Sequence, residues 1–252
     1  MIRVMTLNTW QEYGDWRARW ELIDAAVRQI DPQVIFFQEI FSRKWAVETA
    51  KRLGYTECAA HDEPSGLVTL SRYPVIEAGL LTYHAKSAAE KKDRYIQHVW
   101  LETPDAGDFL ALNTHLSWRP ADQGIRYRQA EELIQAVEIL SEEGPVLCAG
   151  DFNAPDDSPE IELLQARGRF KDCYAVHNPG ERGWTWNHRN PNTQAPSNLV
   201  GGQLLAERRI DYIFCRPARE FPFSSRSCSI ILNQPDPRGV WASDHFGLTA
   251  EF

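Results

Sequence analysis

Hydrophobic and polar positions follow two different periods along the chain, and together they predict both helices and strands. Apolar side chains at helical spacing predict helices at 16–30, 42–53, 123–140 and 159–166. Short apolar runs bounded by Gly, Pro, Asn or Asp predict strands at 2–7, 34–37, 55–60, 66–70, 75–83, 94–102, 109–114, 145–149, 209–214, 223–232 and 246–252, with a turn at 104–107. Several predicted strands follow one another without an intervening helix. The pattern therefore favours mixed sheets with helices outside them over a regular βαβ repeat.

The composition is that of an ordinary globular protein. The chain has 252 residues, of which 43% are hydrophobic and 25% charged. No linker, repeat or low-complexity run interrupts it, so we expect a single domain over residues 1–252. The formal net charge is −8. Because non-specific binding of duplex DNA relies on surplus Lys and Arg, this charge disfavours stable binding to duplex DNA.

The cysteines and the apolar runs bear on the compartment. Five cysteines, at 58, 148, 173, 215 and 228, form no Cys-x-x-Cys pair. This spacing predicts reduced, buried thiols and no cysteine-based zinc site. No apolar run approaches the roughly 18 residues needed to cross a bilayer, and the N-terminus runs into a strand pattern without a secretion signal. We therefore expect a cytoplasmic protein without a membrane span.

One turn carries the strongest chemical signal. The buried strand at 145–149 leads into Gly150, and Asp151 and Asn153 follow two residues apart. Side chains two apart in extended backbone share a face. A carboxylate there suits a hard divalent cation or an attacking water, and an amide can donate to an anionic oxygen. The alternative is an ordinary Asx turn that closes a strand.

Other polar residues also follow apolar strands. They are Asn8, Glu39, His115, Asp211, Asp244 and His245. A carboxylate such as Glu39, after Val-Ile-Phe-Phe, is costly unless it is paired, protonated or bound to a cation. Because no Ser or Cys nucleophile elbow is present, the set indicates metal-assisted attack of water on a phosphoester. The alternatives are a turn cap at Asn8, a buried structural histidine at His115 and a surface turn at Asp244-His245.

Six motifs occur at these strand ends. They are Leu7-Asn8-Thr9-Trp10, Gln38-Glu39, Asn113-Thr114-His115-Leu116, Gly150-Asp151-Phe152-Asn153, Arg209-Ile210-Asp211-Tyr212 and Ser243-Asp244-His245. The set, in this order, resembles the endonuclease/exonuclease/phosphatase superfamily, which has the deoxyribonuclease I-like fold. The resemblance implies the α+β class and an αββα four-layer sandwich, with two packed mixed β-sheets flanked by helices and the active site at one edge.

The resemblance also implies a metal cofactor. Mg²⁺ or Mn²⁺ would be held by Glu39, with Asn8 and Asp244 nearby. Mg²⁺ usually keeps several waters and takes few protein carboxylates, which suits so small a ligand set.

Further roles follow from the same resemblance. Asp151 would orient or deprotonate the attacking water, and Asn153 would hold that water or a phosphate oxygen. His245, aligned by Asp211, would contact the scissile phosphate, and His115 would donate to a phosphate oxygen. The base is either Asp151 or His245.

The substrate is the least determined part of the prediction. Asn8-Thr9-Trp10 and Gly183-Trp184-Thr185-Trp186 are most similar to neutral sphingomyelinases and their bacterial relatives. We therefore expect a phosphodiester substrate of small or headgroup type. The chain lacks a hydrophobic membrane hairpin, which weighs against a lipid held in a membrane. A nuclease is the alternative, and an inactive binding module of the same fold is a remote one.

Candidate substrate-binding residues lie in two segments. Trp184, Trp186 and His188 are candidates to stack on a base or sugar, or they pack onto the protein body. Arg209, in the pair Arg208-Arg209, is a candidate to hold a phosphate. Arg72, in the family-like turn Leu70-Ser71-Arg72-Tyr73-Pro74, is a further candidate.

Overall fold

The computed structural model of the protein describes residues 1–62, 65–104, 107–141, 144–218 and 223–252. In these residues the helices are α1 (Trp16–Ile30), α2 (Arg43–Leu53), α3 (Gln123–Leu140), α4 (Pro159–Ala166) and α5 (Cys173–His177). The strands are β1 (Arg3–Asn8), β2 (Val34–Gln38), β3 (Glu57–Ala59), β4 (Val68–Ser71), β5 (Val75–Thr82), β6 (Tyr95–Leu101), β7 (Phe109–His115), β8 (Val146–Asp151), β9 (Lys171–Asp172), β10 (Asp211–Arg216), β11 (Ser227–Ile231) and β12 (Gly247–Glu251).

The helices and strands predicted from the hydrophobic pattern all have counterparts, with small shifts at their ends. The pattern missed the two-residue strand β9 and the short helix α5, because neither is long enough to show a period. Residues 105 and 106 of the turn predicted at 104–107 lie outside the described residues.

The described strands form two six-stranded sheets. The first sheet has the order β11-β12-β1-β2-β4-β3, and the second has the order β5-β6-β7-β8-β10-β9. Each sheet contains one parallel pair, β1 with β2 and β7 with β8, and its other neighbours are antiparallel. Because both pairs are parallel, the carboxyl ends of their strands meet at one edge of each sheet, where binding sites tend to form.

The layers are held together by three apolar clusters. Val4 and Phe36 of the first sheet pack with Leu147 and Ile213 of the second in the cluster between the sheets. Two outer clusters join the first sheet to α1 and α2, and the second sheet to α3 and α4. The order helices, sheet, sheet, helices is the predicted αββα sandwich. Phe37 lies in an outer cluster although Phe36 lies between the sheets, which explains why β2 is apolar on both faces.

Buried polar side chains bridge the sheets near the same edge. Gln38 donates through Nε2 to Oδ1 of Asn113 at 2.8 Å, and Asn113 donates through Nδ2 to the carbonyl of Phe37 at 3.0 Å. Gln97 accepts a hydrogen bond from the Thr69 hydroxyl at 2.7 Å. Since a buried polar group is costly when unpaired, these bonds fix how the two sheets align at that edge.

The structure also bears on the predictions made for the cysteines and for membrane spans. All five cysteines are free, and four are buried, whereas Cys58 is half-buried. Among the described residues, no helix combines the length and the apolar character that crossing a bilayer requires.

Candidate active site

Strand register places three of the predicted site residues in one row of the second sheet. His115 of β7 pairs with Asp151 of β8, and Asp151 pairs with Asp211 of β10. Residues directly opposite one another in a sheet project from the same face. Gly150 makes this row possible, because its φ is +146° and an added Cβ would lie only 2.0 Å from the carbonyl oxygen of Thr114. Any larger residue would push β8 away from β7.

Asp151 is the centre of the row. Its Oδ2 accepts a hydrogen bond from Nδ2 of Asn8 at 3.0 Å, and it lies 3.3 Å from Nε2 of His115 and 3.7 Å from Nε2 of His245. Its Oδ1 accepts from the backbone N–H of Asn153 at 2.9 Å. Burial raises the pKa of Asp151 to about 7, although the charge of His245 opposes the shift. Asp151 can therefore take up and release a proton near neutral pH.

His245 is held as a cation. Its Nδ1 lies 2.9 Å from Oδ2 of Asp211. Burial lowers the pKa of His245, but the carboxylates of Asp211, Asp151 and Asp244 outweigh that effect and raise the pKa well above its usual value. The hydroxyl of Thr185 accepts the backbone N–H of Asp211 at 3.2 Å and so fixes the start of β10. His245 therefore carries a proton on both ring nitrogens at neutral pH.

His115 has the opposite charge state. Burial lowers its pKa well below the usual value, and the charges of Arg94, His245 and Lys92 lower it further. The two imidazoles beside Asp151 therefore differ, because His245 is charged and His115 is neutral. A neutral His115 can donate a hydrogen bond without adding positive charge to the site.

A second pair of carboxylates, Glu39 and Asp244, borders the same cavity. Glu39 has a left-handed φ of 67°, unusual for a non-glycine residue, and its Oε2 accepts from Nε2 of Gln11 at 3.1 Å. Oδ2 of Asp244 accepts from Nδ2 of Asn198 at 2.9 Å. Burial raises the pKa of Asp244 to about 6, with the charge of His245 opposing the shift and that of Glu39 adding to it. The two carboxylates thus repel each other in the absence of a cation.

One open cavity of about 450 Å³ is lined by Asn8, Glu39, His115, Asp151, Asn153, Asp244 and His245, whereas Asp211 lies outside that lining. The same number of acidic and basic residues lines it: Glu39, Glu90, Asp93, Asp151 and Asp244 against Lys91, Lys92, Arg94, Arg119 and Arg208. The fold brings these basic residues to the cavity from separate segments of the chain.

Comparison with protein families identifies the family to which the chain belongs. The model of the endonuclease/exonuclease/phosphatase family matches residues 5–245. The chain belongs to that family. Family members are hydrolases of phosphate esters that generally use a divalent metal ion. A curated relative, Protein angel of Drosophila melanogaster, is 29% identical over 72 residues, which is 29% of this chain and 20% of that protein.

Solved structures support the fold. TDP2 of D. rerio complexed with single strand DNA product has a TM-score of 0.80 at 17% identity, covering 99% of this chain and 97% of that one. TDP2 of C. elegans has a TM-score of 0.77 at 18% identity, covering 99% and 74%. The family protein of Bacteroides vulgatus has a TM-score of 0.75 at 18% identity, covering 99% and 97%. Identities this low support the deoxyribonuclease I-like fold and nothing finer.

The donor set fits a hard divalent cation of the kind this family uses. Glu39 and Asp244 offer carboxylate oxygens, and a bound cation would offset the burial and the charge of Glu39, which together raise the pKa of Asp244. Ligand atoms of Asp151, Asp211 and His245 also lie within 4.8 Å of one another. That cluster suits a metal less well, because Nδ1 of His245 is already hydrogen-bonded to Asp211.

The side chains of Asn8 and Asn153 both make hydrogen bonds within the protein. Asn8 donates to Asp151, and its Oδ1 accepts the backbone N–H of Trp10 at 3.0 Å, so its side chain orients Asp151. Asn153 donates through Nδ2 to the carbonyl of Leu116 at 3.1 Å. An amide nitrogen carries two N–H groups, so Asn153 can still offer its second N–H, as well as its carbonyl oxygen, to a water or a phosphate oxygen.

Two predicted substrate-binding arginines lie elsewhere. Arg209 is buried and pairs with Asp172 at 2.5 Å and with Asp156 at 3.3 Å, so it does not line the cavity. Arg208 lines it instead. Arg72 pairs with Asp31 at 2.5 Å, at the amino end of β2 and thus at the far end of the sheet from Glu39. Each guanidinium is paired with carboxylates that do not line the cavity.

The segment that contains Trp184, Trp186 and His188 packs onto the body of the protein. Trp186 lines the cavity but is buried, and its ring lies edge-on to His245 with centroids 5.1 Å apart. Trp184 lies outside the cavity lining, beneath the guanidinium of Arg182 at 4.8 Å. Nε2 of His188 is hydrogen-bonded to the carbonyl of Leu205 at 2.8 Å. Trp186 therefore packs against the His245 imidazole, and neither Trp184 nor His188 lines the cavity.

The structure adds residues that the sequence did not single out. Asn190 donates to the carbonyls of Ser243 and Asp244 at 2.8 and 3.2 Å, and with Asn198 it ties the loop to the site. Arg19 is buried and donates to the carbonyls of Thr9, Trp10, Gln11, Tyr13 and Ala242. A long Asn-rich loop indicates a functional segment. It gives no signal for which asparagine reaches which carboxylate.

Proposed function

We propose that this protein is a phosphodiesterase, dependent on Mg²⁺ or Mn²⁺, that hydrolyses a small or headgroup-type phosphodiester. The observation that carries the proposal is the convergence of Asn8, His115 and His245 on Oδ2 of Asp151 beside an open cavity. Glu39 and Asp244 would hold the metal ion. When bound, the ion would polarise the phosphate and offset the charge on its oxygens.

The charge states favour Asp151 as the base. His245 already carries its proton, so it cannot accept another, whereas Asp151 titrates at a pKa of about 7. Oδ2 of Asp151 takes a proton from the attacking water, whose oxygen forms the new bond to phosphorus. The bond from phosphorus to the leaving oxygen breaks, and that oxygen takes a proton from solvent. The Nε2 proton of His245 donates to a non-bridging phosphate oxygen and stabilises its growing charge.

Charge supports a small substrate. The chain as a whole has a net charge of −8, which opposes long-range attraction of a polyanion. The cavity lining has five acidic and five basic residues, so the protonated His245 leaves a small local positive charge that suits a single phosphate. A cavity of about 450 Å³ is also of the size that small ligands occupy.

A nuclease is the second candidate. The TDP2 structure of D. rerio contains single strand DNA product. Lys91, Lys92 and Arg119 line the cavity here, and such residues can contact a phosphate backbone. The nuclease would therefore act on single strands rather than on duplex DNA.

The first experiment tests metal-dependent diester hydrolysis. Turnover of bis-p-nitrophenyl phosphate is measured with Mg²⁺, with Mn²⁺ and with EDTA. We expect activity with either ion, and a loss of roughly 10²-fold or more for Glu39→Gln, because a metal ligand contributes several kcal/mol of transition-state stabilisation. Glu21→Gln is the matched control, since Glu21 is 64% exposed and pairs with Arg238 at the surface. Full activity in EDTA would overturn the proposal.

The second experiment tests substrate class. Sphingomyelin in detergent micelles, soluble diesters, single-stranded DNA, RNA and plasmid DNA are compared at one Mg²⁺ concentration. We expect the highest kcat/KM for a soluble or headgroup diester. If single-stranded DNA or RNA is preferred, with binding that weakens steeply as the salt concentration rises, the protein is a nuclease and the proposal of a small diester substrate is wrong.

A further inference from the structure

Arg208 occupies a position that the catalytic residues leave unexplained. It lines both the active-site cavity and an adjoining groove of about 310 Å³. Its side chain makes no ion pair in the described part of the chain, and its Nε is buried without a hydrogen-bond partner there. Arg208 is half-buried, and its buried Nε–H is costly to leave without an acceptor, so a ligand that supplies negative charge would stabilise it.

The neighbouring charges do not neutralise Arg208. Asp151 is near enough to favour its charged form, but Arg126 opposes that effect. Arg126 is already neutralised, because its Nε lies 2.9 Å from Oε1 of Glu160. Arg209 is likewise paired with carboxylates. Arg208 is therefore the cation positioned for a phosphate at the junction of the two spaces.

The groove behind Arg208 has the lining of a ring-binding site. Trp118, Pro120, Pro155 and Pro159 contribute flat or rigid rings to its walls. Arg119 lies over the Trp118 ring at 5.0 Å and helps to fix it. The other six lining residues are polar or charged, so the rings can stack against a ligand ring while the polar groups orient it.

The polar groups of the groove favour a neutral ring with hydroxyls. Ser158 is 4% exposed, lines the groove, and its Oγ has no hydrogen-bond partner among the described residues. It precedes α4 without capping that helix through its side chain. Gln123 adds an amide, and Asp157 adds a carboxylate that opposes a second phosphate. An alcohol ring satisfies these groups and brings no further charge.

We propose that Arg208 holds the scissile phosphate at this junction, and that the groove receives a ring alcohol, of a sugar or nucleoside, esterified to that phosphate. This inference rests on the proposed diesterase function and specifies one side of its substrate. Asn153 and Trp118 line both spaces together with Arg208. The groove is therefore continuous with the site where the phosphate reacts.

The substrate arm uses three p-nitrophenyl phosphodiesters with one leaving group, carrying methyl, thymidine-5′ or glucose-6′ as the second group. We expect kcat/KM for at least one ring ester to exceed that for the methyl ester by about tenfold or more. The better of the two ring esters distinguishes a nucleoside from a sugar. Equal values for all three overturn the groove, while no hydrolysis of any ester overturns the diesterase itself.

The binding arm uses three phosphate monoesters as competitive inhibitors of bis-p-nitrophenyl phosphate hydrolysis. Inhibition constants of methyl phosphate, thymidine 5′-monophosphate and glucose 6-phosphate are measured for the wild-type protein and for Arg208→Gln. We expect Arg208→Gln to weaken all three by about 10- to 100-fold, the range of a charged hydrogen bond. Arg189→Gln is the control, since Arg189 is exposed and lines neither space. Unchanged inhibition constants overturn the role of Arg208.

Substitutions in the groove test its contribution to substrate preference independently of Arg208. Trp118→Ala and Ser158→Ala should reduce the preference for the ring ester over the methyl ester by several-fold each. A structural role alone would lower both rates equally and leave their ratio unchanged, which would contradict the proposal. The wild-type inhibition constants still decide the question if Trp118→Ala fails to fold.

Discussion

Nδ1 of His245 lies 2.9 Å from Oδ2 of Asp211, and both side chains are buried. Asp211 stands at the start of β10, where the hydroxyl of Thr185 holds its backbone N–H. The carboxylate fixes the ring orientation and keeps a proton on Nδ1, which directs Nε2 toward the cavity. The two residues therefore form one functional unit.

Double substitution tests that unit. We expect His245→Ala to lower kcat by roughly 10²- to 10⁴-fold. The double variant Asp211→Asn/His245→Ala should lie within about threefold of His245→Ala alone, because Asp211 acts through the ring that is already removed. The measurement is kcat for bis-p-nitrophenyl phosphate at saturating metal. If the loss of kcat in the double variant equalled the product of the losses in the two single variants, Asp211 would act independently of His245.

Asp244 gives a stability prediction for the metal-free protein. Burial raises its pKa from 3.8 to about 6, so the folded state binds its proton more tightly than the unfolded state. This contribution favours folding at low pH and is lost as pH rises from about 4 to about 6. In EDTA at pH 8, Asp244→Asn should raise the free energy of unfolding by up to about 3 kcal/mol.

Urea denaturation at pH 4 and pH 8 checks this prediction. The stabilisation caused by Asp244→Asn should be smaller at pH 4 than at pH 8. Mn²⁺ should stabilise the wild-type protein more than the variant. Asp62→Asn is a matched control, because Asp62 is 85% exposed at the side chain. A variant less stable than wild type at pH 8 would contradict the assignment.

Arg209 should matter for stability and little for substrate binding. Its side chain is 3% exposed and pairs with Asp172, which is equally buried. Arg209→Ala would leave that carboxylate buried and unpaired, so we expect a loss of about 3–5 kcal/mol in the free energy of unfolding. At a temperature where the variant stays folded, KM should change little. A large rise in KM with unchanged stability would restore Arg209 as a substrate ligand.

Arg19 should preorganise the loop between β1 and α1. Trp10 and Gln11 have left-handed φ values of 56° and 45°, and Arg19 donates to the carbonyls of both. Lys cannot reproduce the planar fork, so Arg19→Lys should cost about 2–4 kcal/mol of stability. It should also lower kcat/KM, since Gln11 contacts Glu39. Arg17→Lys, on the exposed side of the same helix, should do neither.

The layers of the fold were readable because they depend on periodicity. The apolar run of β2 predicted burial on both faces, and Phe36 and Phe37 do reach different cores. The sequence could not predict whether Arg208 or Arg209 lines the cavity. Neighbouring residues of an extended segment point to opposite sides, and two identical side chains carry no signal for which one faces the cavity.

Contacts between loops were also beyond the sequence. Asn198 reaches Asp244 only because the 3₁₀ helices Pro191–Gln194 and Pro196–Asn198 bend the loop back over the site. Asn8 and Asp151 are 143 positions apart, and their hydrogen bond depends on how two sheets align. Asp151 and Asp244 could be predicted as site residues because each lies near the end of a strand. Their hydrogen-bond partners depend on how distant segments pack, and no local sequence pattern encodes that packing.

The strand order of the first sheet has a consequence for biosynthesis. β1 is paired with β12, and Asp244 and His245 directly precede β12. During translation, a nascent chain that already contains the whole second sheet still lacks these two residues and the strand beside β1. The candidate site can therefore assemble only after β12 has left the ribosome and docked beside β1, so the site is completed last during synthesis of the chain.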